Sequence, residues 1–304
     1  MTEPAQRSRT SGSRPMEADV DVFGLTHPGR VRTANEDHFL IASLHKLLRV
    51  QQSSLPEEDY PQLVSHSRGY LFLVADGVGG RPDGHLASET VLRTIADHVT
   101  NLMDLYRRLD SDRESVFLRE LTGSVERSHA ILKEHGERNH EGQGLATTLT
   151  MVAVLWPRAY LVQVGDSRCY RLRGGRLERL SRDQTVAQAL VDSGALTPEE
   201  ATRSPFRSVL SSAVGGPEAL PITASDDLRR DDVMLLCTDG LTKHVSEVEI
   251  EQELLGMESA ERSCHRLVDL ALERGGGDNI TVVIGRMRPK LGRASGARAS
   301  AAEV

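Results

Sequence analysis

The chain has 304 residues, of which 38% are hydrophobic and 27% charged, with a formal net charge of −7. That composition belongs to an ordinary globular protein with room for a sizeable core, and its acidic balance argues against a nucleic-acid partner. Three cysteines without metal-like or redox spacing exclude a disulfide framework, and no apolar run reaches the roughly 20 residues that span a bilayer. The expectation is a cytoplasmic protein with no membrane segment.

Residues 1–18, rich in Ser, Arg and Pro, read as a disordered tail. A short strand is predicted over 20–26. It is followed by His27-Pro28-Gly29-Arg30-Val31-Arg32-Thr33-Ala34-Asn35-Glu36-Asp37, where two arginines and two acids crowd together, and by a second strand at Phe39-Leu40-Ile41-Ala42. Residues 43–69 read as a surface excursion. Leu71-Phe72-Leu73-Val74-Ala75 is then a buried strand running into Asp76-Gly77-Val78-Gly79-Gly80. Helical periodicity predicts a helix over 86–109 and a second one fading near Gly136.

Strands are expected at 148–156 and 160–164, the latter ending in Gly165-Asp166-Ser167-Arg168. A hairpin follows, turning on Gly174-Gly175. Asp183-Gln184-Thr185 opens a short helix, and Thr197-Pro198-Glu199-Glu200 carries the signature of a capping box. Residues 203–225 suggest a flap. Another buried strand, 233–237, runs into Thr238-Asp239-Gly240; a helix over 259–274 and a strand over 280–287 enclose Gly277-Asp278-Asn279. The basic end of the chain reads as a second disordered tail.

Four acids, Asp76, Asp166, Asp239 and Asp278, thus stand beside glycines at strand boundaries. Such an Asp-Gly is by itself usually a plain turn. Four that converge raise each other's pKa or require a cation, and an oxygen-only donor set selects Mg²⁺ or Mn²⁺ over Zn²⁺. Two such ions can clamp a bridging water for in-line attack on phosphorus. Arg32 is the candidate guanidinium for holding the phosphate. These residues leave open whether the sheets form a sandwich or a parallel α/β array.

The ordered blocks Arg32-Thr33-Ala34-Asn35-Glu36-Asp37, Ala75-Asp76-Gly77-Val78-Gly79-Gly80, Ala146-Thr147-Thr148, Gly165-Asp166-Ser167-Arg168, Thr238-Asp239-Gly240-Leu241 and Gly277-Asp278-Asn279-Ile280-Thr281 resemble the signature blocks of the metal-dependent protein phosphatases, the PPM or type 2C family, in their compact bacterial form. The resemblance implies an α+β fold: a β-sandwich of two antiparallel sheets flanked by pairs of antiparallel helices, occupying residues 19–287 between tails at 1–18 and 288–304. It implies hydrolysis of phosphoserine and phosphothreonine by a metal-bridging hydroxide, in opposition to a Ser/Thr protein kinase, by a monomer whose partners are phosphoproteins. No cysteine or aspartate is placed as a covalent nucleophile beside a phosphate-binding glycine loop. A non-catalytic phosphoprotein-binding scaffold is the competing reading.

By position, the resemblance implies that Asp76 bridges two Mn²⁺ or Mg²⁺ ions and that the Gly77 carbonyl, Asp239 and Asp278 complete their ligands. Glu36 and Asp37 would act through ion-bound waters, Asn279 would support the ligands from behind, and Arg32 would bind substrate phosphate. Asp166 corresponds to the acid that holds a third, weaker ion, with the flap near Ser208 sometimes contributing. Three positions depart from the family. Lys243 replaces an acid and implies a weak or absent third ion. Val78 and Arg81 stand where histidines are found, leaving a bound water, His85 or His244 as proton donor.

Overall fold

The computed structural model describes residues 19–45, 69–78, 82–102, 111–139 and 144–288. Both tails, most of the 43–69 excursion and Arg81 lie outside the described residues.

Among the described residues, eleven strands build two antiparallel sheets. The first sheet has the order β1 (Val20–His27), β11 (Ile280–Met287), β10 (Val233–Cys237), β7 (Arg168–Arg173) and β8 (Arg176–Arg179). The second runs β2 (Asp37–Leu44), β3 (Gly69–Val78), β5 (Leu149–Leu155), β6 (Arg158–Val164) and β9 (Ile222–Asp227), with the two-residue β4 (Ala146–Thr147) beside the end of β3. Every pairing is antiparallel. The parallel alternative is therefore excluded, and the sandwich implied by the resemblance is what the chain forms.

Strand alternation explains why these runs are apolar on both faces. In β3, Leu71, Leu73 and Ala75 point to the helices, while Tyr70, Phe72 and Val74 point between the sheets. In β10, Val233, Leu235 and Cys237 face helices on the other side, and Met234 and Leu236 face inward. The layers are thus helix, sheet, sheet, helix. On one flank α1 (Pro82–Asn101) buries Ala87, Val91, Ile95 and Val99, and α2 (Ser111–Asn139) buries Phe117, Leu121, Val125 and Leu132. The predicted first helix therefore begins four residues early, and its end beyond 102 falls outside the described residues.

The described helices that remain are α3 (Val186–Asp192), α4 (Pro198–Arg203), α5 (Asp239–Thr242), α6 (Glu247–Leu255) and α7 (Ala260–Glu273). Helix α7 starts on Ser259, whose hydroxyl accepts from the Arg262 amide, and presents Ala260, Cys264, Leu267, Val268 and Ala271 to the first sheet. Thr197 makes the expected capping box with Glu200. The same device at Ser246 and Glu249 starts α6, which was not anticipated. Strand β9 was also missed, because it is an edge strand whose side chains are largely exposed and carry no apolar alternation. All three cysteines are buried and free.

Phe117 is fully buried and meets Tyr160 of β6 edge-on, with ring centroids 5.0 Å apart. Replacing it with alanine removes the contact that seats α2 on the second sheet. Phe117→Ala should cost about 3–5 kcal/mol, read as a lower urea midpoint with an unchanged slope.

Candidate metal centre and active site

The sandwich brings the predicted acids to one end. Asp76 closes β3 and lies opposite Asp37, the first residue of β2. Asp166 sits in the turn between β6 and β7, Asp239 opens α5 just after β10, and Asp278 lies just before β11. Both sheets thus contribute, as does the 28–36 connection between β1 and β2.

Asp37 is the tie between the sheets. Its Oδ2 accepts from the Thr238 hydroxyl at 2.8 Å and the Thr281 hydroxyl at 2.7 Å, both on the first sheet's side. The single hydroxyl proton of each fixes the rest. Thr281 donates to Asp37, so the Thr26 hydroxyl, 2.8 Å away, donates to Thr281 and accepts in turn from Asn35 Nδ2 at 2.9 Å. Thr238 accepts from the Thr281 amide at 3.0 Å. Burial pushes the Asp37 carboxyl up to about 7, against these two hydroxyl bonds, and the charges of Asp239 and Asp278 push the same way.

Asp76 is held through its backbone. The Thr147 hydroxyl and the Thr148 amide donate to its carbonyl at 2.8 and 2.9 Å, and its own amide donates to the Thr148 hydroxyl at 3.1 Å. The Thr148 hydroxyl also shares a hydrogen bond of 2.7 Å with the Ser167 hydroxyl, in which either can donate. The Ala146-Thr147-Thr148 block is therefore a clamp on the strand end, a role the sequence alone did not reveal. Burial, followed by the charges of Asp37, Asp239 and Asp166, raises the Asp76 carboxyl well above its ordinary value.

Glycines let the pieces close up. A Cβ on Gly77 would strike the Gly84 carbonyl in the first turn of α1, and one on Gly240 would strike the Asn279 carbonyl. Asn279 anchors the 28–36 connection: its Nδ2 donates to the carbonyls of Pro28 and Ala34, each at 2.9 Å, and its Oδ1 accepts from the Glu36 amide at 2.9 Å. Glu36, buried, lies against Gly84.

The cations present are side chains. Arg32 forks onto Asp278 at 2.8 and 3.2 Å. Lys243 Nζ reaches Asp239 Oδ2 at 2.7 Å and Asp278 Oδ2 at 2.8 Å. Burial opposes ionisation of Asp278, yet the hydrogen bond and charge of Lys243, then those of Arg32, hold it below its ordinary value. At Asp239 burial prevails over Lys243 and the carboxyl is raised. Burial likewise pushes Asp166 up to about 7, aided by Asp239 and Asp183, with Lys243 and Arg168 opposing. Arg168 is itself tied to Asp183 at 2.7 Å.

Lys243 thus pairs with Asp239 and Asp278 and makes no ion pair with Asp166. Val78 is partly exposed at the end of β3. His244 accepts from the Gly277 amide at 3.0 Å and so braces the turn before Asp278, which takes up one ring nitrogen in support. His85 lies against His38 with ring centroids 4.5 Å apart and the rings tilted by 54°, and its Nδ1 is 3.3 Å from the Asn35 carbonyl. Ser208 is exposed on the flap, which two bridges, Thr185 with Leu210 and Thr147 with Val214, fasten beside this end.

Among the described residues no three acids are drawn up around one point as a finished metal shell. The donor set nonetheless fits a hard cation. Asp37 Oδ1 and Asp239 Oδ1 are buried with no hydrogen-bond partner, and three further carboxylates crowd them.

The family model for protein phosphatase 2C matches residues 49–271. The chain belongs to the protein phosphatase 2C family. That match includes Asp76, Asp166 and Asp239; the Arg32–Asp37 connection and Asp278 lie beyond it and join the site through the pairing of β1 with β11. The serine/threonine protein phosphatase PstP of Mycobacterium tuberculosis is 39% identical over 215 residues, which are 70% of this chain and 40% of that protein. The matched stretch is therefore well under half the length of that relative. The crystal structure of PstP/Ppp from the same organism has a TM-score of 0.71 at 32% identity, covering 89% of this chain and 99% of that one. The PstP catalytic domain in complex with two manganese ions aligns with a TM-score of 0.68 at 31% identity, over 89% of this chain and 99% of that one.

Asn279→Ala removes three hydrogen bonds on the 28–36 connection. The expected result is a loss of about 2–4 kcal/mol and faster hydrogen exchange at the Glu36 amide, with the β5 amides still protected.

Proposed function

We propose that this chain is a Mn²⁺- or Mg²⁺-dependent protein-serine/threonine phosphatase, with residues 19–287 as its catalytic domain. The observation that carries this reading is the set of buried carboxylates gathered from both sheets at one end of a phosphatase 2C fold, with raised pKa values and partnerless oxygens. Such a set is stable as anions only around a cation.

Asp76, Asp239, Asp278 and the Gly77 carbonyl would hold two ions, with Glu36 and Asp37 acting through ion-bound waters. When bound, the ions supply Lewis-acid polarisation of the phosphoryl group and an activated water. The chain supplies the rest. Thr147, Thr148 and Asn279 fix the ligands, and Arg32, with N–H groups to spare beyond those on Asp278, orients the phosphate. A third ion at Asp166 is disfavoured by the Lys243 charge nearby. Phosphoproteins made by a serine/threonine kinase are the proposed substrates. Among the described residues no helix is long and apolar enough to cross a membrane; a cytoplasmic location is part of the proposal.

Hydrolysis of para-nitrophenyl phosphate and a phosphothreonine peptide should require Mn²⁺ or Mg²⁺ and stop on chelation; metal-independent turnover, or none with the fold intact, would refute the reading. Asp239→Asn should lower kcat by about 10²–10³-fold, as expected when a preorganised charge-stabilising group is lost. Arg32→Ala should chiefly raise KM, by about 10–100-fold, the weight of a charge-assisted bidentate contact. An unchanged KM would remove Arg32 from phosphate binding.

A further inference from the structure

The ammonium of Lys243 lies between two of the acids. Lys243 follows α5 directly, one helical turn beyond Asp239, and its amide is bonded to the Asp239 carbonyl at 2.8 Å. The side chain therefore folds back over the helix start. Its Nζ touches one oxygen of Asp239 and one of Asp278 at nearly equal distances, 2.7 and 2.8 Å. Two carboxylates from different segments are thus bridged by one cation.

We propose that Lys243 is a tethered competitor of the divalent ions: its ammonium joins Asp239 to Asp278 in the metal-free protein and must leave both before ions are taken up there. The inference rests on the two-metal reading above. An oxygen that accepts from Nζ–H has its lone pair directed at the lysine, and a +1 charge at hydrogen-bond distance repels an arriving +2 charge. The bridge also does in the metal-free protein what an ion would do: it offsets the repulsion between two strand-end acids. Lysine suits this task, being a point charge on a flexible four-carbon stem, and its side chain is 40% exposed, so a path to water lies open. Asp239 Oδ1, buried and unpartnered, is left for the first contact with an ion.

The test uses the full chain, stripped with EDTA and dialysed, as wild type, Lys243→Met, Lys243→Gln and Lys243→Arg. Mn²⁺ affinity is measured by calorimetry and by the electron paramagnetic resonance signal of free Mn²⁺, and melting is followed with and without Mn²⁺. Lys243→Met and Lys243→Gln should bind Mn²⁺ at least about tenfold more tightly than wild type, because the competing charge is gone. Their metal-free forms should melt lower and gain more from Mn²⁺. Lys243→Arg, which keeps the charge, should stay within about threefold of wild type. If Lys243→Met cannot be kept folded without metal, Lys243→Gln carries the comparison, since its amide can still span a carboxylate. Equal or weaker Mn²⁺ binding in the neutral variants overturns the competitor role and leaves the metal reading standing. Absence of Mn²⁺ binding in all four proteins overturns the metal reading and the competitor role together.

Discussion

Everything at the working end of this protein depends on the crowding of acidic side chains in a place where water cannot shield them. Isolated carboxylates buried together would unfold the strands that carry them or take up protons. Here the load is shared in three ways. Asp37 is held by two threonine hydroxyls and Asp278 by Arg32 and Lys243, whereas burial and the charges of Asp37, Asp239 and Asp166 keep the Asp76 carboxyl raised. The acids on the second sheet are thus the hungriest for a cation, and those on the first are the best supplied with one.

The hydrogen bonds that meet this demand also fasten the sandwich. Between the sheets the packing is apolar and non-directional, built by residues such as Phe72, Val74, Leu236 and Val283. Such a layer fixes the spacing of two sheets more firmly than their lateral position. Asp37, reaching from β2 to Thr238 and Thr281, supplies the missing direction at the end where direction matters. Asn279 does the same for the connection that carries Arg32 and Glu36.

Much of this could be read from the sequence because it lies in short local patterns. An apolar run ending in Asp-Gly marks β3 and β10, the stripe of Leu267, Leu270 and Ala271 marks α7, and the order of the six blocks marks the family. What could not be read was relational. Nothing local to Thr147 and Thr148 says that they clamp Asp76, seventy residues earlier, or that Thr238 and Thr281 meet on Asp37. Nothing in the sequence says that a ring nitrogen of His244 accepts from the Gly277 amide, and Lys243, expected beside Asp239 or Asp166, pairs with Asp239 and Asp278. Strand β9 escaped because its pairing with β6, and no apolar pattern of its own, defines it.

Strand β11 lies between β1 and β10 in the first sheet, so the first described strand and the last one are neighbours. Among the described strands, β1 pairs with β11 alone in that sheet. During synthesis on the ribosome, therefore, β1 lacks its sheet partner until the segment from Asp278 to Met287 has emerged. The residues of the second sheet, ending at Asp227, and those of the α1–α2 flank all precede that segment in the chain. The acids of the two sheets and the connection that carries Arg32 thus come together only after β11 has been made, by the one pairing that joins the two ends of the fold.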